Sequence, residues 1–244
     1  MASAVLLSGG LDSAVLLADE AVRGTVQPIY VSVGLAWEPA EREMVRRFVD
    51  WLARRPEQTG RSHSLLPLVA LNVDMRDVYP ATHWAITGEA PAYNTPDEDV
   101  YLPGRNIVLL GKAAVYCAVA DMDRIVLGTL AHNPFADATP EFRDTLSRAL
   151  SLGLAHQLQI EAPYAGTSKP EVIRRGVALG VPFELTLSCM KPVKVSELRE
   201  PSERRERRHI HCGTCSKCRE RHDAFVALGM MDPTSYADER FVRG

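Results

Sequence analysis

No apolar run in this 244-residue sequence approaches the roughly 20 residues needed to cross a bilayer. The opening Met1-Ala2-Ser3-Ala4-Val5-Leu6-Leu7-Ser8 also lacks the basic segment and long apolar stretch of a secretory signal. Neither membrane insertion nor export is expected, and the chain is expected to be cytoplasmic. A basic excess is missing too: 28 Lys and Arg stand against 31 Asp and Glu, for a formal charge of −3. Chains that grip nucleic acid or anionic membranes through bulk electrostatics carry the opposite balance, so nucleic acid is not an expected partner. Internal repeats and low-complexity tracts are not evident. Cysteine is scarce, with five residues in all, and in a reducing compartment clustered cysteines serve better as metal ligands or redox groups than as disulfides.

What is present is apolar material, 46% of the chain, enough for one substantial core with a small appended lobe. Residues 4–7 form a short apolar run that stops at Ser8-Gly9-Gly10 and gives way, after Asp12, to an apolar helical stretch. That reads as strand, tight loop and helix. The β-branched segment 28–33 predicts a second strand, and 68–73 and 124–128 predict two more. Across 38–55, Met44, Phe48 and Leu52 recur at four-residue spacing with Val45 and Val49 beside them, the apolar stripe of a helix whose other face carries Arg and Glu. Residues 106–120 are almost wholly apolar and predict a buried helix, and 140–154 predict another. Ser168-Lys169-Pro170-Glu171 fits a capping box opening a helix that stops at Gly180. Strands alternating with helices make parallel βαβ units, so the expected fold is α/β, a doubly wound and mostly parallel sheet. Its ligand site belongs beyond the carboxyl ends of the strands, with the Pro- and Asp-rich residues 87–103 looped over that edge.

Ser8-Gly9-Gly10-Leu11-Asp12-Ser13 stands where the first strand gives way to the first helix. Two glycines let the backbone turn sharply and approach a bulky anion. The free amides of the helix N-terminus can then donate to phosphate oxygens, aided by the helix dipole. Ser8 and Ser13 add hydroxyl donors, and Asp12 suits a magnesium ion bridging phosphates. In this setting the string resembles the PP-loop of the ATP pyrophosphatase superfamily, which cleaves ATP between its α and β phosphates and forms adenylated intermediates.

Cys212-Gly213-Thr214-Cys215-Ser216-Lys217-Cys218 contains two consecutive C-x-x-C steps, with Cys189 available as a fourth ligand. Such turns place thiolates on one metal, and four of them close a tetrahedral shell with no open position, a structural zinc site. An iron–sulfur cluster is the alternative that the spacing leaves open. Gly213 relieves the backbone where the knuckle folds back, and Lys217, Arg219 and Arg221 are placed to offset thiolate charge. His209 and His211 flank the cluster as substitute ligands, and Cys117 reads as a small core residue.

Taken in order, the loop Ser8 to Ser13, Leu102-Pro103-Gly104-Arg105-Asn106, Gly128-Thr129, Thr167 to Glu171, Thr186 with Ser188-Cys189, the Cys212 to Cys218 cluster with Arg221, and Asp232-Pro233-Thr234 with Tyr236 resemble the 7-cyano-7-deazaguanine synthase (QueC/ExsB) family nearly end to end. The resemblance implies an adenine nucleotide alpha hydrolase-like PP-loop domain over 1–185 and a small zinc-braced helical lobe over 186–244. It implies ATP, Mg2+ and Zn2+ as cofactors. The implied reaction adenylates 7-carboxy-7-deazaguanine; ammonia then gives an amide, and a second ATP drives dehydration to the nitrile. Ser8, Gly9, Gly10, Leu11, Asp12, Ser13, Asn106, Gly128 and Thr129 would hold ATP. Asp12, Arg105 and Lys169 would be catalytic, and Cys189, Cys212, Cys215 and Cys218 would hold zinc. Many members are homodimers, which is the state expected here.

A guanine-like edge asks for a carboxylate that accepts from N–H groups. Asp137 and Glu141 lie in the appropriate loop, with Phe135 or Phe142 to stack on the ring. Two segments depart from the family pattern: Val33-Gly34-Leu35-Ala36-Trp37, and 132–139 after the fourth strand. Trp37 and Glu38 are candidates to frame the adenine or a dimer surface. Arg204-Arg205-Glu206-Arg207-Arg208 reads as a solvated loop, or as a contact surface for protein or RNA. The alternative activities are transfer of the same adenylated acid to a different amine, and tRNA modification by a PP-loop enzyme.

Overall fold

The computed structural model describes residues 2–55, 65–197 and 209–242. Five short strands form one parallel sheet in the order β3-β2-β1-β4-β5. They are β1 (Ser3–Leu6), β2 (Val26–Ser32), β3 (Val69–Asn72), β4 (Arg124–Val126) and β5 (Gln159–Glu161). β1 pairs with β2 through Ser3↔Val26 to Leu6↔Ile29, and with β4 through Ser3↔Arg124 to Val5↔Val126. Chain order therefore runs outward from β1 in one direction and from β4 in the other. The crevice between those two strands is the topological switch point where ligands bind in such sheets.

Because side chains alternate across a strand, each strand feeds two cores. On one face Ala4, Ile29, Val31 and Ile125 pack with Leu110, Ala113, Ala114 and Cys117 of α4 (Arg105–Val119) and with the edge of α5 (Pro140–Leu154). On the other face Val5, Tyr30 and Val126 pack with α1 (Leu11–Arg23), with Val45 and Phe48 of α2 (Glu38–Ala53), and with Val172 and Ile173 of α6 (Lys169–Ala178). This is the doubly wound arrangement expected. One short helix, α3 (Trp84–Thr87), interrupts the connection after β3.

The predicted elements recur with boundaries shifted by at most two residues, and the capping box of Ser168 and Glu171 is formed. β5 was not anticipated. It has three residues and one fully apolar inward position, Ile160, too little for a periodic signal. The expectation of a buried helix over 106–120 is met in part. Only one stripe of α4 is buried, and Ile107, Val115 and Val119 are exposed, because the sheet covers one side of the helix alone.

Beyond the sheet, β6 (Val193–Lys194) pairs antiparallel with β7 (His209–Ile210), and α7 (Ser216–Val226) follows the cysteines. Ala224 and Phe225 of α7 enter the second core, where Phe225 meets Phe183 edge-on. The charged string 204–208 lies outside the described residues. Among those described, no helix is long and apolar enough to cross a membrane.

Candidate active site and metal centre

A cavity of about 280 Å³ opens at the carboxyl ends of β1, β2 and β4. Ser8, Gly10, Asp12 and Ser13 line one end with Gly128 and Thr129; Tyr101, Arg105, Asn106, Phe135 and Asp137 line another. Gly9 takes φ +81, the left-handed turn that reverses the chain after β1. α1 then begins at Gly10 with no side-chain cap, so its first-turn amides keep their capacity for an anion. Ser13 Oγ donates to the Gly10 carbonyl at 3.0 Å and lies 3.2 Å from Ser8 Oγ, which shapes the loop from within. Gly128 lets the loop approach closely: a Cβ there would stand 3.3 Å from the backbone of Asp12 and Ser13, so that the loop would have to yield slightly.

Two charged groups in the cavity are conspicuously short of partners. Asp12 Oδ1 and Arg105 Nε are both buried with no hydrogen-bond partner. A buried unpaired polar atom costs about 1–3 kcal/mol, more for a charged group. Both residues line the one cavity, and an acid and a guanidinium with unused hydrogen-bonding capacity beside it suit a cation-bearing, anionic ligand, as ATP with magnesium would be. Burial raises the Asp12 pKa, against the pull of Lys169. Lys169 Nζ lies 3.1 Å from Asp12 Oδ2 and 2.5 Å from Glu220 Oε1. Burial opposes the charge on Lys169, but Asp12 and Glu220 together hold its pKa above the usual lysine range. Glu220 in turn receives Lys217 at 2.7 Å, and despite burial the two ammoniums hold its carboxyl down to about 2.

Asn106 donates its backbone N–H to Asp137 Oδ2 at 3.1 Å and its side-chain amide to Asp137 Oδ1 at 3.3 Å. Asp137 thus lines the cavity while fixing the entry of α4, and burial raises its pKa. Phe135 stacks on Tyr101 with centroids 5.0 Å apart, beside the same wall. Glu141 stands exposed on the first turn of α5, outside the cavity lining. Sequence reasoning passed over Glu41, a cavity residue. It accepts from Tyr30 Oη at 3.0 Å and Trp37 Nε1 at 2.9 Å, and burial pushes its carboxyl up to about 7 against the opposing charge of Arg105. Its position three residues before Met44 and four before Val45 continues the buried stripe of α2, which was the available signal. Trp37 and Glu38, expected to frame adenine or a dimer surface, are buried. Trp37 stacks on Trp84, and Glu38 accepts from the Val33 and Gly34 amides.

The four sulfurs of Cys189, Cys212, Cys215 and Cys218 are buried and lie within 4.8 Å of one another. Zn–S bonds of about 2.3 Å in a tetrahedron require S···S edges of about 3.8 Å. Cys212–Cys218 at 3.9 Å and Cys215–Cys218 at 3.5 Å match that spacing. The Lys191 and Cys212 amides donate to Cys189 Sγ and the Thr214 amide to Cys212 Sγ, support that thiolates on a metal need. Gly213 is indispensable: it has φ +82, and a Cβ would fall 1.8 Å from the Asp238 carbonyl oxygen.

The neighbouring cations do other work than offsetting thiolate charge. Arg221 is fully buried and donates to Thr234 Oγ1, Thr186 Oγ1 and the Phe183 carbonyl, while Arg219 donates to the carbonyls of Tyr93 and Thr95. His209 pairs with Glu43, and His211 accepts from the Ser188 amide. Cys117 is walled into the α4 core, where burial pushes its thiol up to about 12.

A parallel sheet with an uncapped glycine loop at its switch point, and with Asp12 and the Arg105 guanidinium lining the cavity there, marks a protein of the PP-loop ATP pyrophosphatase superfamily with a four-cysteine metal centre. The family profile described as "Queuosine biosynthesis protein QueC" matches residues 2–229, and the chain belongs to that family. Similar proteins include the 7-cyano-7-deazaguanine synthase of Methanopyrus kandleri, 32% identical over 96% of this chain and 98% of its own. Those of Methanothermobacter thermautotrophicus (28%, covering 96% and 98%) and Pseudomonas aeruginosa (29%, covering 95% and 96%) bear the same name. Adenylation and amidation at the PP-loop are the chemistry of this family.

Proposed function

We propose that this chain converts 7-carboxy-7-deazaguanine and ammonia to 7-cyano-7-deazaguanine, consuming ATP by cleavage at the α phosphate. The observation that carries the proposal is that Asp12 and Arg105 line a single cavity and each keeps one buried polar atom, Oδ1 and Nε, without a hydrogen-bond partner. The α1 amides of Leu11, Asp12 and Ser13 receive phosphate oxygens, with Ser8, Gly9 and Gly10 forming the turn beneath them and Gly128 and Thr129 closing the far side. Asp12 would hold magnesium, whose charge would neutralise the phosphates. Arg105 draws the acid's carboxylate toward the α phosphorus, and Asn106 holds the adjoining wall. Lys169 stabilises charge building on the phosphates as pyrophosphate departs. Positioning two bound reactants in one enclosed site removes most of the entropic barrier to their encounter.

Phe135 and Tyr101 offer a flat apolar face to a deazapurine ring. The proposal takes Asp137 as the carboxylate near its N–H edge and keeps Glu141, on the surface, as the weaker candidate. Residues 1–185 carry this chemistry, and 186–244 form a lobe that zinc on Cys189, Cys212, Cys215 and Cys218 braces. The working form is a homodimer, supported by the unpartnered apolar stripe on α4. The site of action is the cytoplasm. Cys–Cys distances suited to one tetrahedral ion support zinc over an iron–sulfur cluster, and with it ligation over thiolation of tRNA.

Incubation with ATP, magnesium, ammonia and the acid should yield AMP, and mass spectrometry should find amide and then nitrile. Asp12→Ala should lower AMP release by at least two orders of magnitude while melting as the wild type does. Release of ADP and orthophosphate in place of AMP would overturn the proposal. Amide accumulation without nitrile would redirect it to an amide-forming ligase.

A further inference from the structure

Lys169 opens α6, where the helix dipole disfavours a cation, and it is nonetheless 13% exposed and charged. Its ammonium is shared between two carboxylates on different elements: Asp12 of the phosphate loop at 3.1 Å, and Glu220 of α7 at the shorter 2.5 Å. Glu220 is itself anchored by Lys217, one turn earlier on α7, and Lys217 faces Asp97 of the loop over the sheet edge at 3.7 Å. Three helices from opposite ends of the chain therefore meet at one nitrogen. α7 follows Cys215 directly and carries Cys218, so the metal centre and the phosphate loop are two ion pairs apart.

The sharing has a consequence for Asp12. With Asp12 as its one anion, Lys169 would fold fully onto the carboxylate and compete with any cation arriving there. Glu220 supplies a second and nearer anchor, so that Lys169 is tethered beside Asp12 while Asp12 Oδ1 stays unpaired. We propose that Glu220 is a positioning residue for phosphoryl chemistry: it holds Lys169 partly away from Asp12, so that Asp12 can take a divalent cation while Lys169 stays beside the phosphates. This rests on the reading of Asp12 as the magnesium-facing carboxylate.

Two measurements on Glu220→Gln, Lys169→Met and the double variant test it. The first is a thermal-stability cycle without nucleotide. The two single losses should exceed the double loss by roughly 2–4 °C when summed, the signature of direct coupling. Strict additivity would overturn the proposal, whatever reaction the protein catalyses. The second is the magnesium dependence of AMP release at saturating ATP. Glu220→Gln should raise the half-saturating magnesium concentration several-fold while metal content at the cysteines stays at the wild-type level. An unchanged magnesium requirement would reduce Glu220 to a structural brace and sink the positioning role. Wild-type protein that releases no AMP would refute the proposed reaction, and the stability cycle would still decide whether Glu220 holds Lys169.

Discussion

Among single residues, Glu41 makes the sharpest demand on solution behaviour. Its carboxyl is pushed from an ordinary 4.5 up to about 7 by burial, with Arg105 pulling the other way. The folded state then binds more protons than the unfolded chain between those values. Stability therefore falls as pH rises through that window, and the loss is complete above the folded value. The ceiling on this contribution is about 3 kcal/mol. Glu41→Gln keeps the hydrogen bond from Trp37 and lets Tyr30 accept from the amide. Denaturant titrations at about pH 5 and about pH 8 should show a slope in the wild type that the variant lacks. Equal slopes would mean that Glu41 is ionised in both states. Residues of this kind explain where sequence reading stopped. Ser8, Asp12, Arg105 and Asn106 announce themselves through motif strings, and the structure gathers them in one cavity. Glu41 and Glu220 are legible only once α2 and α7 are laid against the sheet, because an acid in a helix is ordinarily a solvated one.

For the elements, α4 separates what hydrophobic pattern can and cannot foretell. The pattern located the helix to within one residue at each end, but an all-apolar sequence does not say what covers each face. Leu110, Ala113, Ala114 and Cys117 meet the sheet, while Ile107, Val115 and Val119 form an exposed stripe at helical spacing with Gly111 between them. At Gly111 no heavy atom lies within 4 Å of where a Cβ would stand, leaving a flat site open to a second helix. If the stripe seats another copy of this chain, Val115→Glu should convert a dimer to a monomer in sedimentation velocity. It should hardly alter the melting temperature of the subunit, since Val115 is already 48% exposed. A dimer that survives the substitution would place the contact elsewhere. β5 and the covering segment 87–103 were harder to read for the opposite reason. Their short, mixed sequences acquire order from tertiary pairing, such as the bridge between Ala92 and Cys215, and local periodicity carries no trace of it.

At the level of the whole molecule, the segments between Phe183 and Asp238 are held together through the cysteine centre and the buried cation beside it. Arg221 is fully enclosed and reaches Thr186, Thr234 and the Phe183 carbonyl, while Gly213 lets the knuckle turn under Asp238. A four-thiolate centre contributes its binding free energy directly to folding. Without metal, the clustered thiols have only one another and a few amides to offset their burial. Removing the metal with a strong chelator should therefore lower the melting midpoint by roughly 10 °C or more, a loss of several kcal/mol in a chain of this size. Cys215→Ser should reproduce that loss without chelator, whereas Asp12→Ala should not. The purified protein should be colourless and release one zinc per chain. Because α7 carries both Cys218 and Glu220, the depleted protein should also lose AMP release at temperatures where its sheet is still folded by circular dichroism. A brown preparation rich in iron would overturn the zinc assignment. Full AMP release by metal-free protein would show instead that the phosphate loop holds its geometry without the lobe.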